Sequence, residues 1–140
     1  MRATKLKNIM TTELFWLTAT IAMTTVLWLP YIVNRILENG LLTALRNPKP
    51  DEPPIAGWAN RLMHAHNNAV ENLVVFAPLV LILHMIEMSS NLTVMAVSAY
   101  FWTRLAHAAI YTFGIPYLRT VAFFIGFLCQ SVLVYSIFST

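Results

Sequence analysis

Four long apolar runs, Leu14–Val33, Asn72–Ile86, Met88–Trp102 and Thr120–Phe138, dominate this chain and leave it few ways to fold. Apolar residues make up 58% of the sequence and charged ones 11%, against about 25% charged in a typical soluble domain. The outer two runs are about 20 residues long, and the middle two approach that length once extended past their flanking charges, enough to cross a hydrocarbon core of ~30 Å. The expected fold is an all-α membrane protein, a four-transmembrane-helix bundle forming one domain over residues 1–140. Helices are expected over about 11–34, 57–87, 91–113 and 119–138, with a polar loop over about 35–56.

Punctuation residues support that division. Pro30 predicts a kink near one end of the first helix. Pro48, Pro50, Pro53 and Pro54 mark the only long polar connection. The second helix, at roughly 30 residues or ~45 Å, exceeds the bilayer core, so its first third should project into headgroups or water. Ser89-Ser90-Asn91 is a tight connection and makes the second and third helices an antiparallel hairpin, while Gly114-Ile115-Pro116 turns the chain into the fourth. Arg2, Lys5 and Lys7 precede the first run in the manner of a signal peptide, but that run is too long for a secretory segment and no small-residue cleavage pattern closes it. Counting basic residues, Arg35, Arg46, Lys49, Arg61 and Arg119 share one face against Arg2, Lys5 and Lys7 on the other, which places the long loop in the cytoplasm by the positive-inside rule.

The composition also excludes some functions. The formal charge of +3 is spread without a basic run, so nucleic-acid binding has no support. Cys129 is the only cysteine and lies inside the fourth run, where it reads as a small buried hydrophobe. His64 and His66, two apart on a helix, diverge, and no metal site is expected. His84 and Glu87 stand three apart at the opposite face and could pair there.

Against this lipid-like background, two polar stripes stand out. Arg61, His64, Asn68 and Glu71 advance by three, four and three residues; Tyr100, Arg104, His107 and Tyr111 by four, three and four. Each set therefore occupies one helical stripe. A charge facing acyl chains costs ~2.5–3.5 kcal/mol on insertion scales, so both stripes should face protein or a polar cavity. The alternation of the helices brings them toward the same membrane face as Arg35, Arg119 and Thr120. Glu71 could neutralise Arg61, Arg104 or Arg119 there without any chemistry. The alternative is a site. Several arginines with one glutamate, two histidines, asparagines and a tyrosine suit a small acidic peptide, because guanidinium forks grip carboxylates and Asn68 can exchange amide hydrogen bonds.

The string Arg61-Leu-Met-His-Ala-His66-Asn-Asn68-Ala-Val-Glu71-Asn72-Leu resembles the signature of the MAPEG family, membrane-associated proteins in eicosanoid and glutathione metabolism. Asn47-Pro48 with Asp51, Arg104-Leu-Ala-His107-Ala-Ala-Ile-Tyr111 and Gly114-Ile-Pro-Tyr-Leu-Arg119-Thr120 agree with it in order and spacing, so the resemblance covers nearly the whole chain. It implies a four-helix subunit in a homotrimer, with glutathione bound between neighbouring subunits near the cytoplasmic face and a lipophilic small-molecule substrate arriving through the lipid.

Carried over by position, Arg35, Asn68, Glu71, His107, Tyr111 and Arg119 match residues that contact glutathione in the family, and Arg61, His64 and Arg104 complete the set expected to bind it. Arg119, followed by Thr120 where the prostaglandin-forming branch has a serine, matches the position that stabilises the thiolate, with Thr120 or Tyr111 as hydroxyl donor; Asp51 matches a loop aspartate given a catalytic role in that branch. His64 and Asn67 stand where eicosanoid-forming members usually carry arginines, which removes two cations from such a site. The resemblance thus implies a glutathione-dependent transferase or peroxidase acting on lipophilic electrophiles, or a non-catalytic lipid-binding or scaffold member. A channel or transporter would use the same intramembrane charges, but these gather at one face instead of continuing across the helices.

Overall fold

The computed structural model of the protein describes residues 10–47, 49 and 52–139, and its described elements are all helical. In chain order they are α1 (Thr12–Val26), α2 (Leu29–Asn39), α3 (Leu41–Ala44), α4 (Gly57–Met85), α5 (Asn91–Phe113) and α6 (Pro116–Phe138).

Local chemistry fixes the helix ends. Thr11 caps α1 by accepting from the Leu14 amide at 3.3 Å. The apolar run does not continue as one helix, because Pro30 has no N–H to return to the preceding turn; α1 stops at Val26 and α2 begins at Leu29 with the proline in its first turn. α2 then reaches Asn39, five residues beyond the expected end at 34, and Gly40, at φ 78°, stops it. Residues 35–39 and 41–44 of the expected loop are therefore helical. Glu38 holds the returning segment of that connection, accepting from the Ile55 amide at 3.1 Å and the Ala56 amide at 2.8 Å.

A capping box between Ser90 and Thr93 starts α5. Its far end closes on Gly114 at φ 77°, with the Gly114 amide donating to Tyr111 O at 3.0 Å and the Ile115 amide to Ile110 O at 3.1 Å. Pro116 occupies the first turn of α6, so that helix opens three residues before the expected 119.

The core lies between α1, α4, α5 and α6 and is built from Leu17, Phe76, Val80, Leu83, Ala96, Val97, Tyr100, Cys129 and Leu133. Phe76 and Tyr100 stack at 3.7 Å between centroids with 11° between planes. Cys129 is buried there as a small hydrophobe. Polar side chains in the apolar runs are satisfied locally: Thr18, Thr20, Thr24 and Thr25 donate to carbonyls four residues back, each at 2.8 Å.

Three helical stretches, Thr12–Asn39, Gly57–Met85 and Pro116–Phe138, are long and apolar enough to cross a membrane. Only 17%, 22% and 33% of their most apolar windows are buried within the subunit. The remaining apolar surface of this multi-pass bundle faces outward, the reverse of a water-soluble arrangement. α5 matches α6 in length at 23 residues but carries Arg104 and His107 among its buried side chains, which lowers its apolarity.

Candidate functional site

The polar residues of α5 point into the subunit. Arg104 and His107 are each 2% exposed. Arg104 donates from Nη2 to Asn68 Oδ1 on α4 at 2.6 Å, a short charge-assisted bond. Its Nε and Nη1 have no hydrogen-bond partner among the described residues, nor does Nδ1 of His107. Gly126 on α6 packs beside the Arg104 stem, where a Cβ would stand at an ordinary van der Waals distance of 3.6 Å from Cδ. His107 packs edge-on to Tyr111, with ring centroids 5.7 Å apart, and near Phe123 at 6.4 Å.

Arg119, in the first turn of α6, lies over the Tyr111 ring with its guanidinium carbon 4.5 Å from the centroid. This cation–π contact holds a positive charge on a defined surface without a counter-ion among the described residues. Asn68, His107, Tyr111, Arg119, Thr120 and Phe123 together line a cavity of about 180 Å³. Beside it, Arg61, Tyr111, Gly114, Ile115, Pro116 and Arg119 line a second cavity of about 120 Å³. The α6 N-terminus adds the positive end of its dipole. A guanidinium, two hydroxyls, an amide and a ring nitrogen around one opening form a donor-rich site for an anionic or strongly polarised atom.

Other predicted residues behave differently. Arg61 donates from Nε to Thr112 O at 2.9 Å, and its guanidinium lies 3.2–3.3 Å from where a Cβ on Gly114 would stand. It therefore covers the α5–α6 turn while contributing to the smaller cavity. Arg35 sits elsewhere, in a cavity of about 450 Å³ with Arg46, Lys49 and Glu52. His64 and Glu71 are exposed and line none of these cavities. Among the described residues the one ion pair is Lys49–Glu52 at 3.1 Å, so Glu71 does not neutralise Arg61, Arg104 or Arg119, and His84 and Glu87 do not pair. Asp51 lies outside the described residues. Among the described residues no group of three or more His, Cys, Asp or Glu side chains is placed to hold a metal.

Several polar contacts were not foreseen. Gln130, midway along the apolar α6, donates to Asn72 O at 3.2 Å and to the Tyr100 hydroxyl at 3.4 Å, bracing the helices below the cavity. A lone amide inside an apolar run was the available signal. Tyr31 and His66 Nδ1 meet at 2.9 Å, tying α2 to α4. At the other end of the bundle, Glu13 on α1 is 3% exposed. An acid in the first helical turn is ordinary at a helix N-terminus, and only the packing makes this one buried.

Searches of curated proteins and of solved structures returned no match. The model of the MAPEG family matches residues 14–139. That span includes α4, α5 and α6 in full and every residue lining the Arg119 cavity. The chain therefore belongs to the MAPEG family.

Proposed function

We propose that this protein is a glutathione-dependent transferase or peroxidase acting on lipophilic electrophiles. The observation that carries the reading is the placement of Arg119 over Tyr111, with Thr120, Asn68 and His107 on the same cavity. The family includes both glutathione-using enzymes and non-catalytic members, and a cation next to hydroxyl donors is the chemistry the enzymes require. A thiol has a pKa near ~8.5 and is nucleophilic as its anion, so a guanidinium and an O–H aimed at the sulfur raise the reactive fraction at neutral pH.

The residues fit the group. Bound glutathione would supply the nucleophilic thiol. Arg119 provides the fixed positive charge, and Thr120 or Tyr111 the O–H donor. Asn68, oriented by Arg104 through its Oδ1, keeps its amide N–H₂ for a peptide carbonyl. His107 brings a buried ring nitrogen without a partner among the described residues.

At about 180 Å³ the cavity falls below the ~300–1,000 Å³ of ordinary ligand pockets. One subunit therefore offers part of a site. Exposed Glu71 and His64 on α4, and Arg35 in its separate cavity, supply the remaining polar groups if a neighbouring copy closes over them. We infer a homotrimer on this ground. We also infer that α5 crosses the bilayer with the other three helices and that the Arg119 end faces the cytoplasm. The electrophile would arrive laterally through lipid against the outward apolar faces.

The test is a glutathione titration of the detergent-solubilised protein, following the ultraviolet absorbance of the thiolate. Wild type is expected to develop the band, and Arg119→Ala to lose it together with about 10²-fold in turnover. A full-strength band in the variant would overturn the assignment of Arg119. The exposed, uncharged Asn67 and the exposed His64 favour a second reading, a non-catalytic lipid-binding member. Saturable capture of a fatty-acid-like ligand without any glutathione binding would establish that reading instead.

A further inference from the structure

At the opposite end of the bundle from Arg119, a buried acid lines a cavity of its own. Glu13 Oε1 accepts from Ser89 Oγ at 2.6 Å and lies 2.9 Å from Thr93 Oγ1, whose proton is shared with the Ser90 carbonyl, also at 2.9 Å. Two hydroxyls turned toward one oxygen are the partners of a carboxylate. Oε2 is equally buried and has no hydrogen-bond partner among the described residues. An unsatisfied buried acceptor is costly, and a charged one more so. Glu13, Glu87, Ser89 and His84 line a cavity of about 520 Å³, with Leu83 and Met85 supplying an apolar side.

We propose that this cavity binds a primary ammonium group, carried by an aminophospholipid headgroup at the membrane surface or by a free amine. Three observations select that chemistry. Glu13 and Glu87 give the cavity net negative character, and no ion pair joins His84 to either among the described residues. No metal-holding group of His, Cys, Asp or Glu is formed among the described residues. Oε2 lacks a hydrogen bond among the described residues, which an R–NH₃⁺ donor supplies and a quaternary ammonium does not.

The position fits a headgroup. The cavity lies where α4 leaves its apolar run and α1 enters its own, at interfacial depth, and Met85 is 80% exposed, leaving a greasy margin beside the acids for a glycerol and acyl stem. Glu13 lines the cavity with its side chain, so an ammonium seated there approaches Oε2 from that side, with Glu87 across the opening. The site is independent of the thiol chemistry proposed for the Arg119 end, and its test does not use glutathione.

The full-length protein would be reconstituted in nanodiscs of phosphatidylcholine alone or mixed with phosphatidylethanolamine. Native mass spectrometry would read the lipids retained, and thermal unfolding the stability. Wild type is expected to retain phosphatidylethanolamine about tenfold over phosphatidylcholine. Glu13→Gln keeps an acceptor for Ser89 but presents N–H₂ where Oε2 stood, and is expected to cut the preference to about twofold or less. Glu87→Gln, at an exposed position, serves if the first variant fails to fold, with an expected loss of about threefold.

Free ethanolamine in phosphatidylcholine nanodiscs separates the sources. A rise in the unfolding midpoint with both free amine and lipid supports any primary ammonium, and a rise with lipid alone supports the headgroup. Equal retention of both lipids with no ethanolamine response overturns the proposal, as does an undiminished preference in both variants. Lipid preference that emerges only in the Lys5→Gln/Lys7→Gln variant also overturns it, by assigning the place to the chain's own ammonium groups.

Discussion

The polar stripe on α5 lies inside the subunit, and the one on α4 lies along its outer edge. Arg104 and His107 are each 2% exposed, whereas His64 and Glu71 are open and Asn68 is half-buried between them. The buried face of α4 runs instead through Ala59, Leu62, Ala65, Ala69 and Phe76, which turns the 61–64–68–71 stripe aside from the core. The difference teaches which polar side chains the fold itself encloses and which it leaves on the outer surface. α5 has its neighbours in α1, α4 and α6. The α4 stripe presents charge to whatever lies outside, and in a membrane that has to be protein, a polar ligand or the headgroup layer.

Asn68 is the one point where the stripes touch, through the 2.6 Å bond to Arg104, so cutting it tests the inner stripe most severely. Asn68→Ala is expected to destabilise the subunit by about 3 kcal/mol in detergent unfolding, because the guanidinium then has no side-chain partner among the described residues. Adding Arg104→Met should recover most of that loss, since a flexible apolar side chain removes the buried charge along with its need. A double variant no more stable than Asn68→Ala would show that Arg104 finds other partners.

Arg61 belongs to the outer stripe by sequence but works at its end, over the α5–α6 turn. Arg61→Ala should cost about 1–1.5 kcal/mol through the lost bond to Thr112 O, and should shift the position of Arg119 on the adjoining α6 turn. Exposed Glu71 marks the other extreme. Glu71→Gln is expected to leave unfolding of the chain unchanged while weakening, on the proposed function, glutathione binding and the association of copies. An unfolding midpoint that fell as far as that of Asn68→Ala would break the distinction between the stripes.

Much of this was readable before the fold. The expected helices over about 57–87, 91–113 and 119–138 stand beside observed spans of Gly57–Met85, Asn91–Phe113 and Pro116–Phe138, since the Ser-Ser-Asn and Gly-Ile-Pro punctuation that delimits them is a local property. The break of the first run at Leu27–Trp28 was foreshadowed by Pro30, but the helical extension over 35–39 was not, because Glu38 steadies it from residues 55 and 56, far along the chain. The meeting of Asn68, His107, Tyr111, Arg119 and Thr120 on one cavity followed from helix alternation and period. The separation of Arg35 from them did not, since it depends on where α2 leads after the break.

The sequence alone determined that the chain is a helical membrane bundle with its Arg119, Tyr111 and Asn68 chemistry at one end, because hydrocarbon length, helical period and residue type are written locally. The tertiary structure decided which of two similar stripes is buried, that Arg61 guards a turn, and that Glu13 meets Ser89 and Thr93 across 76 and 80 residues of chain. Those outcomes depend on helix rotation. Rotation is set by which faces pack together in three dimensions, and one helix's pattern leaves it open until its neighbours are in place.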